Sequence, residues 1–364
     1  MQETGVANGT PALSRVAWAD VAKGVCILLV VLWHVLMKHY LQIHWHIGGQ
    51  VKGAWGTFGE QLLPLRMPLF FAVSGFFAVR AVQRTWPEVL RTKVAKFYYL
   101  YALWLVIHTV ILAFVPDFGT ESADGPLKFV AQLFITPSNL WYLYALALYF
   151  VIARATRRVP PWLVLAAAFA LSATASAGLI PIPGDRAGVY QNLVFFLAGL
   201  YGKTIIEKLA AQATWLRLAL IAVPYAVLLA VVAVFDAKTW FGLWPLVSGV
   251  AILLGVTAAG LVTRFDRLTT ALASIGRRTL PIYVMHMPLL ALLHAALLKP
   301  LSAAGATTQL ITQLVEPIVL TALLAWLCLF LYRYLPKALF DLPFGLAASR
   351  GAAPTHRRTP VASR

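Results

Sequence analysis

Acidic residues are scarce in this chain. Thirteen Asp plus Glu stand against 30 Lys plus Arg, and all charged residues together make up only 12% of the 364 positions. A soluble domain carries roughly 25%, so a soluble fold does not fit. Cysteine is scarcer still: Cys26 and Cys328 are the only two. Both fall inside apolar runs, which leaves neither a disulfide framework nor a zinc site, and no metal is expected. The alternating ten-residue pattern of a transmembrane barrel is missing, as is any internal repeat of the kind that builds paired transporter halves. Met1 to Ser14 is polar, without a basic segment leading directly into an apolar core and cleavage site, so the first apolar run is expected to be a retained helix.

What fills the chain is a series of apolar runs, each near the roughly 20 residues that a helix needs to cross the hydrocarbon layer. Ten are placed near 21–42, 58–80, 96–115, 138–154, 162–182, 188–207, 215–235, 240–262, 279–298 and 310–333, the fourth being the shortest. Backbone polar groups cannot stay unpaired in lipid, so these runs are helices. Basic residues near span ends are retained in the cytoplasm, and they cluster after the second, fourth, sixth, eighth and tenth runs, whereas the alternate loops are poor in them. The expected fold class is therefore an all-α polytopic membrane protein, a bundle of about ten transmembrane helices with both termini cytoplasmic. A polar N-terminal tail (1–14), one membrane domain (15–335) and a basic, disordered tail (336–364) divide the chain, and the tail from Ala347 onward is expected to touch anionic lipid. Topology thus accounts for much of the net charge of +17, and no nucleic-acid partner is needed.

An ionisable residue inside a span is expensive and marks function by default. The first span opens Asp20-Val21-Ala22-Lys23-Gly24 and runs through apolar residues to Trp33-His34. His34 follows Lys23 by eleven residues, which puts both on one helix face within about 20° and roughly 16 Å apart along the axis. The face links a cation at the cytoplasmic boundary to a histidine near mid-membrane. A bilayer interior disfavours charge, leaving a neutral imidazole able to accept a proton. A histidine bonded to a neighbouring helix is the competing reading.

These residues resemble a known family. Asp20-x-x-Lys23-Gly24 with an apolar run to His34 is similar to the opening of acyltransferase family 3, integral membrane O-acyltransferases of bacterial surface polysaccharides, and to its fucose 4-O-acetylase-like branch. Met67-Pro68-Leu69-Phe70-Phe71, with Ser74-Gly75-Phe76-Phe77, matches the family's MPLFF-x-x-SGFF signature. Asn139 to Leu143, Phe195 to Gly199, and Gly276 to His286 supply further matches in the family's order. The resemblance implies transfer of an acyl group, usually acetyl from cytoplasmic acetyl-CoA, to a hydroxyl of a surface carbohydrate or lipid-linked glycan, in the inner membrane of a bacterium. It makes His34 the catalytic residue, with Asp20 of the same motif as a second candidate. The family commonly has Arg where this chain has Lys23, and a basic pair to which Arg91 and Lys93 correspond. Lysine keeps the charge but loses the planar fork.

The residues themselves agree with that implication. Coenzyme A is anionic at its nucleotide end, and Lys23, Arg91, Lys93 and Lys96 at the cytoplasmic entrance are the candidates to hold its phosphates. Retention of basic residues in the cytoplasm competes as an explanation. His286 lies seven residues into the ninth span, at a depth similar to His34, where a structural bond between helices is an equal reading. Glu60, Arg66 and Glu316 are expected to pair with one another and hold helices together, the alternative being an outward acceptor pocket. Trp141 is either an interfacial anchor or a sugar-stacking platform. Ser74-Gly75 is read as a small pair that permits close packing. A transporter or flippase of a lipid-linked glycan is the rival function, since many apolar helices with a few buried charges serve either role.

Overall fold

The computed structural model describes residues 16–120 and 123–343, and among them every regular element is helical. Ten apolar helices carry the bundle: α1 (Ala17–Lys38), α2 (Leu63–Val82), α3 (Ala95–Ala113), α4 (Trp141–Ala155), α5 (Pro161–Ser176), α6 (Leu193–Tyr201), α7 (Trp215–Val234), α8 (Leu243–Val262), α9 (Thr279–Ser302) and α10 (Ala306–Leu331). Each coincides with one expected span. Seven helical stretches, containing α1, α2, α3 and α7 to α10, are long and apolar enough to cross a membrane. The shorter three are α4 with 15 residues, α5 with 16, and α6 with its lead-in Ala187–Gln191. The chain is a polytopic membrane protein.

α1 is the central post. It packs against α2, α8, α9, α10 and an amphipathic helix, Asp266–Gly276, and Val21, Ile27, Val31 and Val35 along it are fully buried. Polar groups on α1 therefore meet protein rather than lipid.

Two glycine crossings set how closely the helices approach. A Cβ on Gly75 of α2 would lie 1.8 Å from the Phe196 carbonyl oxygen, and one on Gly199 of α6 would lie 1.9 Å from that of Ala72. Only glycine at both positions allows this contact, as the small-pair reading of Ser74-Gly75 anticipated. The second crossing joins α1 to the amphipathic helix: a Cβ on Gly24 would meet the Leu272 carbonyl oxygen at 2.2 Å, and one on Gly276 would meet that of Asp20 at 1.8 Å. It brings Arg277 beside Asp20, whose carboxylate lies 2.8 Å from Lys23 Nζ and 4.0 Å from Arg277.

The basic tail departs from expectation at its start. Residues 337–343 fold back on α3: Trp104 Nε1 donates to the Leu339 carbonyl at 2.7 Å, Tyr99 donates to Ala338, and Phe340 is buried. Lys96 Nζ lies 2.8 Å from Asp341. Apolar Leu339 and Phe340 find a groove there, which outweighs the basic composition that suggested disorder. The polar segment 1–14 and the remainder of the tail, including its expected contact with lipid, lie outside the described residues.

Candidate active site

A cavity of about 460 Å³ opens at the basic end of the bundle. Lys23 of α1, Lys93 just before α3, Lys96 in its first turn, and Arg277 after the amphipathic helix supply its cations. Its deeper wall is aromatic and hydroxylated, with Phe70 and Ser74 of α2, Tyr142 of α4 and Tyr283 of α9. Ser74 Oγ donates to the Phe70 carbonyl at 2.8 Å, so the hydroxyl of Tyr142, 2.7 Å away, donates to Ser74. Tyr283 donates to the Asn139 carbonyl at 3.1 Å and accepts from the Tyr142 backbone N–H at 3.2 Å. Four cations at one end and a hydrogen-bonded, partly apolar inner wall suit a ligand that is anionic at one end and apolar at the other.

Just beyond Tyr283 two histidines meet. His34 and His286 each stand ten residues along the chain from the glycines that touch at the second crossing, Gly24 and Gly276. The His34 ring is thus roughly 15 Å along α1 from Gly24, whereas α9 starts only at Thr279, after a break at Arg277 and Arg278, and the two rings meet with centroids 5.0 Å apart. His286 Nε2 lies 3.1 Å from His34 Nδ1. His286 Nδ1 also lies 3.0 Å from the Ile282 carbonyl, and His34 Nδ1 lies 2.9 Å from that of Val30.

Carbonyls only accept, so for neutral rings these contacts assign every proton. His286 carries its hydrogen on Nδ1 and accepts at Nε2. His34 carries its hydrogen on Nδ1, shared between Val30 and His286, which leaves the lone pair on His34 Nε2. The Tyr283 and His286 rings are 6.1 Å apart, so the cavity ends beside the pair, although His34 itself is not among its lining residues.

His34 occupies position 18 of the 22 residues of α1, roughly 26 Å along a helix of about 33 Å. It belongs to the third of the helix farthest from the basic end.

The other expected residues divide. Lys23, Lys93 and Lys96 line the cavity, while Arg91 is exposed and does not. Arg91 and Lys93 both lie within a π-helical turn over Leu90–Val94. Asp20 orders the mouth through Lys23 and Arg277 and lies far from the histidines, which argues against a catalytic part for it. Glu60, Arg66 and Glu316 do not pair with one another. Glu60 lies 3.4 Å from Lys238, Glu316 lies 3.3 Å from His39, and the Arg66 guanidinium sits 4.2 Å over the Trp33 ring. Trp141 is half-buried and packs on Phe71 and against Gly188.

Arg277 and Tyr283 were not anticipated in the cavity, nor was Tyr142, expected beside Trp141 as an anchor or stacking residue, and nor was a second histidine pair, His39 with His294 at 3.0 Å, farther along α1 and α9. The signal for Tyr283 was present: it precedes His286 by three residues, the spacing of one helix face.

The chain is 29% identical over 318 residues to the inner membrane protein YcfT of Escherichia coli (strain K12), an alignment covering 80% of this chain and 84% of that protein. No solved structure matches. A family model described as "Acyltransferase domain" matches residues 16–333, a span containing all ten apolar helices, the cavity and both histidine pairs, and the chain belongs to that membrane acyltransferase family, acyltransferase family 3.

Proposed function

We propose that this protein transfers an acyl group, acetyl in the simplest case, from acyl-CoA to a hydroxyl of a surface carbohydrate or lipid-linked glycan in a bacterial inner membrane. The basic end faces the cytoplasm with both termini, in line with the distribution of Lys and Arg. Lys23, Lys93, Lys96 and Arg277 hold the phosphates of coenzyme A, and the pantetheine arm spans the roughly 16 Å from the level of Lys23 to that of His34. The Ser74–Tyr142 hydrogen bond lies along this route.

The observation that carries the proposal is the chain of contacts from the Ile282 carbonyl through His286 to His34, because it leaves the lone pair on His34 Nε2. That nitrogen takes the proton of the acceptor hydroxyl as its oxygen attacks the thioester carbonyl carbon. The carbon–sulfur bond then breaks, the thiolate takes the proton back from the imidazolium, and an ester and a free thiol leave.

Replacing His34 with Ala tests this in membranes supplied with labelled acetyl-CoA. Label transfer and thiol release are expected to fall about 10²- to 10⁴-fold, the usual contribution of a general base. A wild-type rate at normal expression excludes His34 as the base, and a wild-type protein that carries solute but releases no thiol is a transporter.

A further inference from the structure

Arg66 is the buried charged group of α2, and the proposed reaction leaves it without work. It is only 8% exposed. Among the described residues its one partner is the Trp33 ring, with the guanidinium carbon 4.2 Å from the centroid, and no carboxylate lies within ion-pair distance. A buried charge without a counter-ion is strongly disfavoured unless something supplies one. Stacking on an indole satisfies the face of the guanidinium and leaves the N–H groups in its plane free. Those nitrogens are absent from the sealed polar atoms that lack partners, so they retain contact with open space.

Its position narrows the role. Trp33 directly precedes His34 on α1, so the guanidinium stacked on the Trp33 ring sits at the same turn of the helix as His34. Arg66 stands near the start of α2, while the cavity cations cluster at the other end of the bundle, where that helix finishes. A coenzyme A phosphate held by those cations does not reach it. Glu60, the nearest acid in the sequence, is engaged by Lys238.

We infer that Arg66, held against Trp33 beside His34, anchors an anionic oxygen group, a carboxylate or a phosphate, on the molecule that receives the acyl group. The word "receives" rests on the proposed function; the anion site does not. A planar fork grips such a group through two parallel hydrogen bonds, which fixes orientation as well as position. The acceptor would then be an acidic sugar or a phosphate-bearing lipid rather than a neutral glycan.

The test uses the full chain purified in a neutral maltoside detergent, with octyl glucuronide, dodecyl phosphate and octyl glucoside as probes and the rise in melting temperature as the readout. Wild type is expected to bind at least one charged probe roughly tenfold or more tightly than the glucoside, as charge-assisted hydrogen bonds imply. Arg66→Gln should lose that preference and His34→Ala should keep it. Glucuronide alone identifies a carboxylated sugar, dodecyl phosphate alone a lipid-borne phosphate, and both together the anionic class. No preference in wild type, or an undiminished one in Arg66→Gln, overturns the inference. If Arg66→Gln does not fold, Arg66→Lys carries the test, because it keeps the charge and loses the fork, and an unchanged preference for the glucuronide then overturns it. Loss of thiol release is read separately, so a failure of the catalytic reading leaves this result intact.

Discussion

Removing His286 should weaken the reaction through His34 alone. The His34 Nδ1 hydrogen is shared between the Val30 carbonyl at 2.9 Å and His286 Nε2 at 3.1 Å. In His286→Ala the first bond remains, so the tautomer survives, but the ring loses the contact that holds it toward α9. One net hydrogen bond in a buried site is worth about 1–2 kcal/mol, which corresponds to a roughly 5- to 30-fold fall in rate. His286→Gln offers an amide oxygen as acceptor and should recover part of the loss. The decisive assay is a double-mutant cycle on thiol release from acetyl-CoA in membranes, with expression measured alongside. Once His34 is Ala, the His286 substitution should cost less than about twofold, because a positioning residue has nothing left to position. Equal losses from His286→Ala in the presence and absence of His34 would refute the reasoning and give His286 a chemical role of its own.

Lys93→Ala should raise the KM for acetyl-CoA about tenfold with little change in kcat, because it removes binding from the cavity mouth. Arg91→Ala, on the exposed side, should leave both within about twofold, and steady-state kinetics on the pair checks the assignment. The ion pair between Lys96 and Asp341 should be lost in acid. Partial burial works against ionisation of Asp341, but the Lys96 ammonium prevails and holds the carboxyl below the usual carboxylate range. A lowered folded-state value means that the contribution is complete above the ordinary carboxylate pKa and disappears as pH falls through the lowered one. Limited proteolysis of residues 337–343 across that acid range should show release of the segment, and Asp341→Asn should remove the pH dependence.

Length and composition made the ten helices legible, because the hydrocarbon layer fixes how long an apolar run must be. They did not reveal side-chain partners. Burial cost flagged Glu60, Arg66 and Glu316 as a group, yet each found a different neighbour, Lys238, Trp33 and His39, that no spacing rule connects to it. Arg91 and Lys93 were grouped by resemblance, but two residues apart on a helical turn point to roughly opposite sides, and both belong to the π-helical turn Leu90–Val94. The similar depth of His34 and His286 was readable from their places in the first and ninth spans. Their contact was not, since it depends on a crossing 252 residues apart in the chain that only two facing glycines permit.

That crossing works as a lever. Gly24 is the fulcrum and His34 rides near the far end of the same helix, so each degree by which α1 tilts about that contact moves the His34 ring by about 0.3 Å at roughly 15 Å. A separation of 3.1 Å tolerates only a few such degrees. A methyl group added at the fulcrum would push two backbones apart, so a change far from any reacting atom would cost stability and misalign the imidazoles together.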